Sequence, residues 1–246
     1  MSRQTSPSIQ MQTPSKARPF AAERSEDSME AKPRPPFAQL GFWSAVLAFL
    51  FSNTFTIGAV VGFPKPWDIF IPIGASLLLA PSFVVMMVSV HYAAPSEKKI
   101  WSHIGMAFAL LYAAMVEIVY VTWLFVVEPH VLRGQANQVA LLIFTPGSFL
   151  QMVDGLGYTF MMIAVLFTAP VFSNRGFERW IRWTGIANGI FAIPVFLSYV
   201  YYSFILGLWW GITIPAFSLL LAVYFWRTGD TTRQSNTSSD RVVRSE

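Results

Sequence analysis

Residues 183–226 read WTGIANGIFAIPVFLSYVYYSFILGLWWGITIPAFSLLLAVYFW and hold no Asp, Glu, Lys, Arg or His across 44 positions. A helix crossing the hydrocarbon core needs about 20 apolar residues, so this stretch is long enough for two. Backbone amides in hydrocarbon must pair within their own segment, which selects helices over strands. The joint length leaves only a tight turn near Tyr202 to Gly207 between them.

Four further apolar stretches precede this one. The six read roughly 40–63, 67–90, 102–127, 150–172, 183–203 and 206–226. The composition of the 246-residue chain agrees, with 54% apolar and only 12% charged residues. Soluble domains carry about 25% charged residues. The sequence therefore predicts an all-α, polytopic transmembrane bundle of about six spans over residues 39–227, with no second folded domain. Pro72, Pro81, Pro194 and Pro215 fall inside spans and are expected to kink them. There is no cysteine, so disulfides and thiolate metal sites play no part.

The flanks differ in kind. Residues 1–38 are rich in Ser, Pro, Gln, Arg and Glu and end in Lys32-Pro33-Arg34-Pro35-Pro36. Such a segment has too little apolar surface to offset its ordering entropy, so it is expected to be a disordered tail. It has no apolar core for a secretory signal, and Glu23, Glu26, Asp27 and Glu30 argue against a mitochondrial transit peptide. Residues 228–246 read as a second disordered tail. The longest loop, 128–149, contains an apolar run from Val139 to Phe144 that is too short to span. It is expected to dip into the interface or cap the mouth of the bundle.

Orientation follows from the cations. Of 17 Lys and Arg residues, 15 fall on the side of the two tails and only Lys65 and Arg133 on the other. The positive-inside rule places the rich side in the cytosol, so both termini are expected there. A wrong span count would scramble this alternation. Trp67, Trp101, Trp180, Trp183 and Trp226 sit where indoles anchor at interfaces. The net charge of +4 resides in tails and loops and speaks of anionic lipid rather than nucleic acid. Asn236-Thr237-Ser238 matches a glycosylation sequon, which this topology leaves unmodified in the cytosol.

Two acids stand out. Glu117 lies near the middle of the third span, where a charged carboxylate costs several kcal/mol. It must be neutral, paired or turned to a polar cavity, and a neutral carboxyl in such a place can serve as a proton donor. The alternative is a plain hydrogen bond to a neighbouring helix. Asp154 lies about one turn into the fourth span, with Gln151 and Tyr158 at i−3 and i+4 on the same face. It is either a second acid or base, or the cap of a helix start. Antiparallel neighbours would bring Glu117 and Asp154 to one cavity, at depths differing by very roughly 8–10 Å. Tyr120, at i+3, could donate to Glu117. Asn53 and Asn188 are polar partners for a ligand or, more commonly, glue between helices. Asp68 sits at a span end. His91, His103 and His130 lack ligand spacing, and no phosphate-binding loop, Ser-His-Asp set or cofactor motif is present. Tyr199, Tyr201, Tyr202, Trp209 and Trp210 cluster around the last turn. They form either an aromatic-lined pocket or lipid-facing packing.

Several motifs resemble a family of uncharacterised multi-pass membrane proteins common in bacteria. They are Ala109-Leu110-Leu111-Tyr112-Ala113-Ala114, Glu128-Pro129-His130-Val131-Leu132, Gly157-Tyr158-Thr159-Phe160-Met161, Leu166-Phe167-Thr168-Ala169-Pro170-Val171-Phe172 and Ala187-Asn188-Gly189. The similarity covers about residues 105–192. It implies an integral membrane bundle of about six helices and no established activity. The long tails read as an extension of eukaryotic type. Small membrane terpene cyclases of fungal secondary metabolism have a similar size and buried acids, but their Trp-Glu helix motif is not found here.

Three functions compete. One is a cofactor-free enzyme on a membrane-dissolved, isoprenoid-like or other lipid-soluble substrate, performing acid-catalysed cyclisation or isomerisation with Glu117 as donor and Asp154 as second group. Another is a small proton-coupled transporter, compatible with a homo-oligomer and built of two three-span halves. The third is a membrane scaffold whose tails bind partners. The lipid bilayer is the partner common to all three. The setting is the endoplasmic reticulum or another endomembrane in a eukaryote, or the inner membrane in a bacterium.

Overall fold

A computed structural model describes residues 35–65, 67–201 and 203–243. The fold is an all-α, polytopic transmembrane bundle. The long helices are α1 (Pro36–Val60), α2 (Trp67–Ala93), α3 (Lys99–Thr122), α5 (Phe149–Thr168), α6 (Glu178–Tyr201) and α7 (Phe204–Val243). A short α4 (Glu128–Leu132) continues α3 through a π-helical turn at Trp123–Val127. Among the described residues, six helical segments are long and apolar enough to cross a membrane. Consecutive long helices pack as neighbours, and α7 returns against α1. The bundle is thus a closed ring whose middle is filled by Phe83, Tyr112, Tyr158, Met161 and Phe217.

The boundaries depart from expectation in three places. α1 begins at Pro36, within the stretch read as tail, because proline fits the first helical position where its missing N–H costs nothing. The remainder of that predicted tail, residues 1–34, lies outside the described residues. α7 runs to Val243, past Trp226, the expected end of the last span. Adding residues to an existing helix avoids the cost of nucleation, which composition alone does not register. The third span likewise extends as helix to Leu132. The four intramembrane prolines lie inside helices that continue through them. Trp67, Trp101, Trp180, Trp183 and Trp226 are all exposed on the outside of the bundle.

Glycines set the closest helix crossings. A Cβ on Gly105 would lie 2.5 Å from Thr168 Oγ1 and 2.9 Å from the Ala164 carbonyl oxygen, so α3 and α5 touch backbone to backbone there. Asn188 binds α6 to α7. Its amide donates to the Thr213 carbonyl at 3.3 Å and its oxygen accepts from Thr213 Oγ1 at 2.9 Å. Asn188 thus links two helices in this structure and lines neither of the two cavities described below. Asn188→Ala is expected to cost about 0.6–2 kcal/mol, the range for intramembrane hydrogen bonds. A thermal melt of the detergent-purified protein reads this as a lowered Tm, and an unchanged Tm would contradict it.

At the end of the bundle carrying most cations, side chains satisfy the exit of α5. Lys98 Nζ donates to the Val171 carbonyl at 3.0 Å and Arg182 to the Phe172 carbonyl at 3.3 Å. His91 and His103 pack ring to edge there, with His91 Nδ1 2.9 Å from Ser102 Oγ.

Candidate functional site

The opposite end carries the α1–α2 and α6–α7 turns and the long loop. Asp154 sits in α5 five residues past its first residue, and is 2% exposed. It does not cap the helix. Ser148 does that, accepting from Gln151 N at 3.3 Å, while Gln151 Oε1 accepts from Gly147 N at 2.8 Å. Asp154 faces inward instead. Its Oδ2 accepts a hydrogen bond from Tyr199 Oη of α6 at 3.0 Å. Its Oδ1 is buried with no hydrogen-bond partner among the described residues.

The Tyr199 contact depends on the residue beside Asp154. A Cβ on Gly155 would lie 2.6 Å from Tyr199 Cγ, so only glycine lets that ring lie flat enough on α5 to reach the acid. Gly155 is thus a packing surface for α6. Gly157 serves α3 in the same way, against Val116.

One turn deeper, Tyr158 Oη is 2.8 Å from Ser76 Oγ of α2 and 3.0 Å from Tyr120 Oη of α3. Tyr158 also meets Trp210 of α7 edge-on at 4.8 Å and Phe55 of α1 at 6.0 Å. All six spans therefore contribute to one buried cluster of hydroxyls, rings and a single carboxyl. Asp154, Phe55, Tyr199 and Trp210 all lie within about six residues of this end of their helices, a depth of about 9 Å or less.

Two cavities open beside the cluster. The inner one, about 230 Å³, has Asp154, Tyr120, Trp123 and Tyr199 in its wall, with Phe55 and Ile73. Phe144 closes it. This residue belongs to the long loop, whose 3-10 segment Ala136–Leu142 leads to it, and its ring lies 5.1 Å from Trp123. The apolar run of that loop thus contributes one ring, Phe144, to the cavity wall. Trp123 is brought in where the α3 helix widens to its π-helical turn, a distortion often found at functional sites. The outer cavity, about 360 Å³, lies among α1, α5, α6 and α7 and includes Gln151, Tyr158, Tyr199 and Trp210.

Glu117 is not part of this site. It lines neither cavity, is only partly buried, and makes no hydrogen bond or ion pair among the described residues. It follows Val116, which is fully buried, by one residue and is turned about 100° away from the interior. Tyr120, expected to donate to Glu117, bonds Tyr158 instead. Asn53 donates to the Phe49 carbonyl of its own helix at 2.7 Å and lines neither cavity. Of the predicted site residues, Asp154, Tyr120, Tyr158 and Gln151 converge, while Glu117, Asn53 and Asn188 do not. Ser76, Trp123, Phe144 and Phe55 were not singled out in the sequence. Tyr199 and Trp210 were visible there only as members of an aromatic cluster.

Fold and site together define a polytopic helical membrane protein with a buried acid-and-phenol centre beside two apolar cavities. Comparison with family models, curated proteins and solved structures finds no match to the chain.

Proposed function

We propose that this protein binds a hydrophobic small molecule within the membrane and catalyses its cofactor-free isomerisation or cyclisation by proton transfer, with Asp154 as the group that gives and takes the proton. The carrying observation is the Asp154 carboxyl itself: buried, held through Oδ2 by Tyr199, without a hydrogen-bond partner at Oδ1 among the described residues, and belonging to a residue that lines a ring-lined cavity. An acid so held is oriented by one oxygen and reactive at the other. Tyr199 positions it. The Ser76–Tyr158–Tyr120 hydroxyls supply a second chain of donors and acceptors across the same cluster. Protonation at one carbon and proton loss at another leaves the atoms of substrate and product equal, so no co-reactant is needed.

The expected proton donor thereby moves from Glu117 to Asp154. On the orientation given by the positive-inside rule, the site lies toward the non-cytosolic leaflet. The test is a pair of exchanges, Asp154→Asn and Glu117→Gln, in a producing host whose lipid-soluble metabolites are profiled. Asp154→Asn should remove the product. Glu117→Gln should leave the profile unchanged, because its side chain touches neither cavity. An unaltered profile in Asp154→Asn at normal protein level would overturn the proposal.

A further inference from the structure

The inner and outer cavities share two wall residues, Phe55 and Tyr199, and these two rings stand between them. Among the described residues no Lys, Arg or His lines either one. The outer chamber is mostly apolar, walled by groups such as Ala59, Val60, Val195 and Gly207. Its volume falls in the range of small-molecule pockets. Buried polar atoms without partners are rare in folded proteins and call for an explanation. Five occur among the described residues: Asp154 Oδ1 and Trp123 Nε1 belong to residues of the inner wall, Trp210 Nε1 to a residue of the outer wall, and Tyr112 Oη and Ser218 Oγ to residues that line neither cavity.

We propose that the two cavities form one site for a single elongated apolar alcohol, its hydroxyl meeting Asp154 and Trp123 and its hydrocarbon body passing Phe55 and Tyr199 into the outer chamber. This rests on reading the Asp154 cavity as the ligand site.

The chemistry of the two orphaned inner atoms selects the headgroup. An indole N–H only donates, so its partner must accept. A carboxyl oxygen accepts when ionised and can donate when protonated. A hydroxyl serves both neighbours in either state, accepting from Trp123 while donating to or accepting from Asp154. A carbonyl could accept from Trp123 and from the protonated acid, but it cannot donate to the carboxylate, so it serves one protonation state and the hydroxyl serves both. A phosphate or carboxylate headgroup would bring negative charge beside Asp154 with no cation in the wall, which low-polarity surroundings penalise heavily. An ammonium would suit Asp154 but cannot accept, and so would leave the Trp123 N–H unmet. The hydrocarbon body matches an outer chamber with rings and aliphatic groups in its wall.

The experiment uses the full chain in lipid nanodiscs with tritiated farnesol, against empty nanodiscs. Unlabelled farnesol, farnesylamine and farnesyl phosphate, which share a tail and differ in headgroup, serve as competitors. Saturable farnesol binding is expected, displaced by farnesol at concentrations about tenfold lower than by the amine or the phosphate. Gly207→Leu should abolish the binding by filling the outer chamber. The nearest atom to a Cβ there is Ser198 Oγ at 3.5 Å, so the helix accepts a side chain and Tm should hold. Trp123→Phe should weaken binding by about tenfold. Binding no greater than to empty nanodiscs, equal displacement by the phosphate or the amine, or unchanged binding in Gly207→Leu would each overturn the proposal. Binding is read without turnover, which separates the two readings. Product lost in Asp154→Asn with no farnesol binding refutes the alcohol and leaves proton transfer standing. Farnesol binding with an unchanged metabolite profile in Asp154→Asn supports the alcohol site and refutes proton transfer.

Discussion

Asp154→Asn is expected to lower turnover by about 10²–10⁴-fold, the usual contribution of a positioned acid or base. Asparagine has the same shape, and its amide oxygen can still accept from Tyr199 Oη, so the α5–α6 contact at 3.0 Å has a replacement. What the amide cannot do is deliver a proton. The loss should therefore fall on chemistry and not on folding. Two measurements separate these: the product in the lipid extract of the host, and the Tm of the purified variant. A normal Tm with product near background is the expected pair. A wild-type product level would show that the carboxyl carries no proton. The neighbouring Glu117→Gln is the matched control, since it removes an intramembrane acid of the same kind that lies outside the cavities.

Gly105→Leu is expected to have the largest effect on the fold. Its Cβ alone would come within 2.9 Å of the Ala164 carbonyl oxygen and 2.5 Å of Thr168 Oγ1, with Met87 Cε at 3.4 Å. The threonine hydroxyl can turn, but a backbone carbonyl inside α5 cannot swing aside. The two helices must separate. Overpacking costs about 1–3 kcal/mol where side chains can yield, and here the obstacle is main chain. Against a total stability of about 5–15 kcal/mol, the variant should give little monodisperse protein on detergent extraction. Gly74→Leu is the comparison. Nothing lies within 4 Å of a Cβ at Gly74, also on a spanning helix, and yield and Tm there should match the parent. Equal yields from the two variants would contradict the backbone contact at Gly105. Separation of α3 from α5 would also carry Tyr120 away from Tyr158, so any Gly105→Leu protein that survives should bind ligand poorly.

How much of this could be read from the residues differs by level. Asp154 and Tyr158 were legible as a pair because i and i+4 share a helix face, and the structure brings both to the cavity walls. Tyr199 and Ser76 were not legible as partners. The bonds that join them to the site span 45 and 82 positions of sequence, and no local spacing encodes such a meeting. Phe144 was visible as the end of an apolar run too short to span, yet its ring contact with Trp123 depends on where the loop lands. Glu117 was conspicuous for the right reason, the cost of an acid in hydrocarbon, but that cost says nothing of direction.

The six spans were determined by the sequence alone. Hydrocarbon admits only segments that are apolar and that pair their own backbone, and both conditions can be checked residue by residue. The rotation of each helix about its axis was decided only by the tertiary structure. In a soluble protein the polar face of a helix points to water and the apolar face inward. In lipid the outer face is as apolar as the core, as Leu110, Leu111 and Ile118 on the exposed side of α3 show. Hydrophobic pattern then carries little information about which face turns in. Packing of small against large residues sets it instead, Gly105 on Thr168 and Gly155 on Tyr199. That is why the sequence reading makes Glu117 the donor and Asp154 the second group, while of the two only Asp154 lines either cavity.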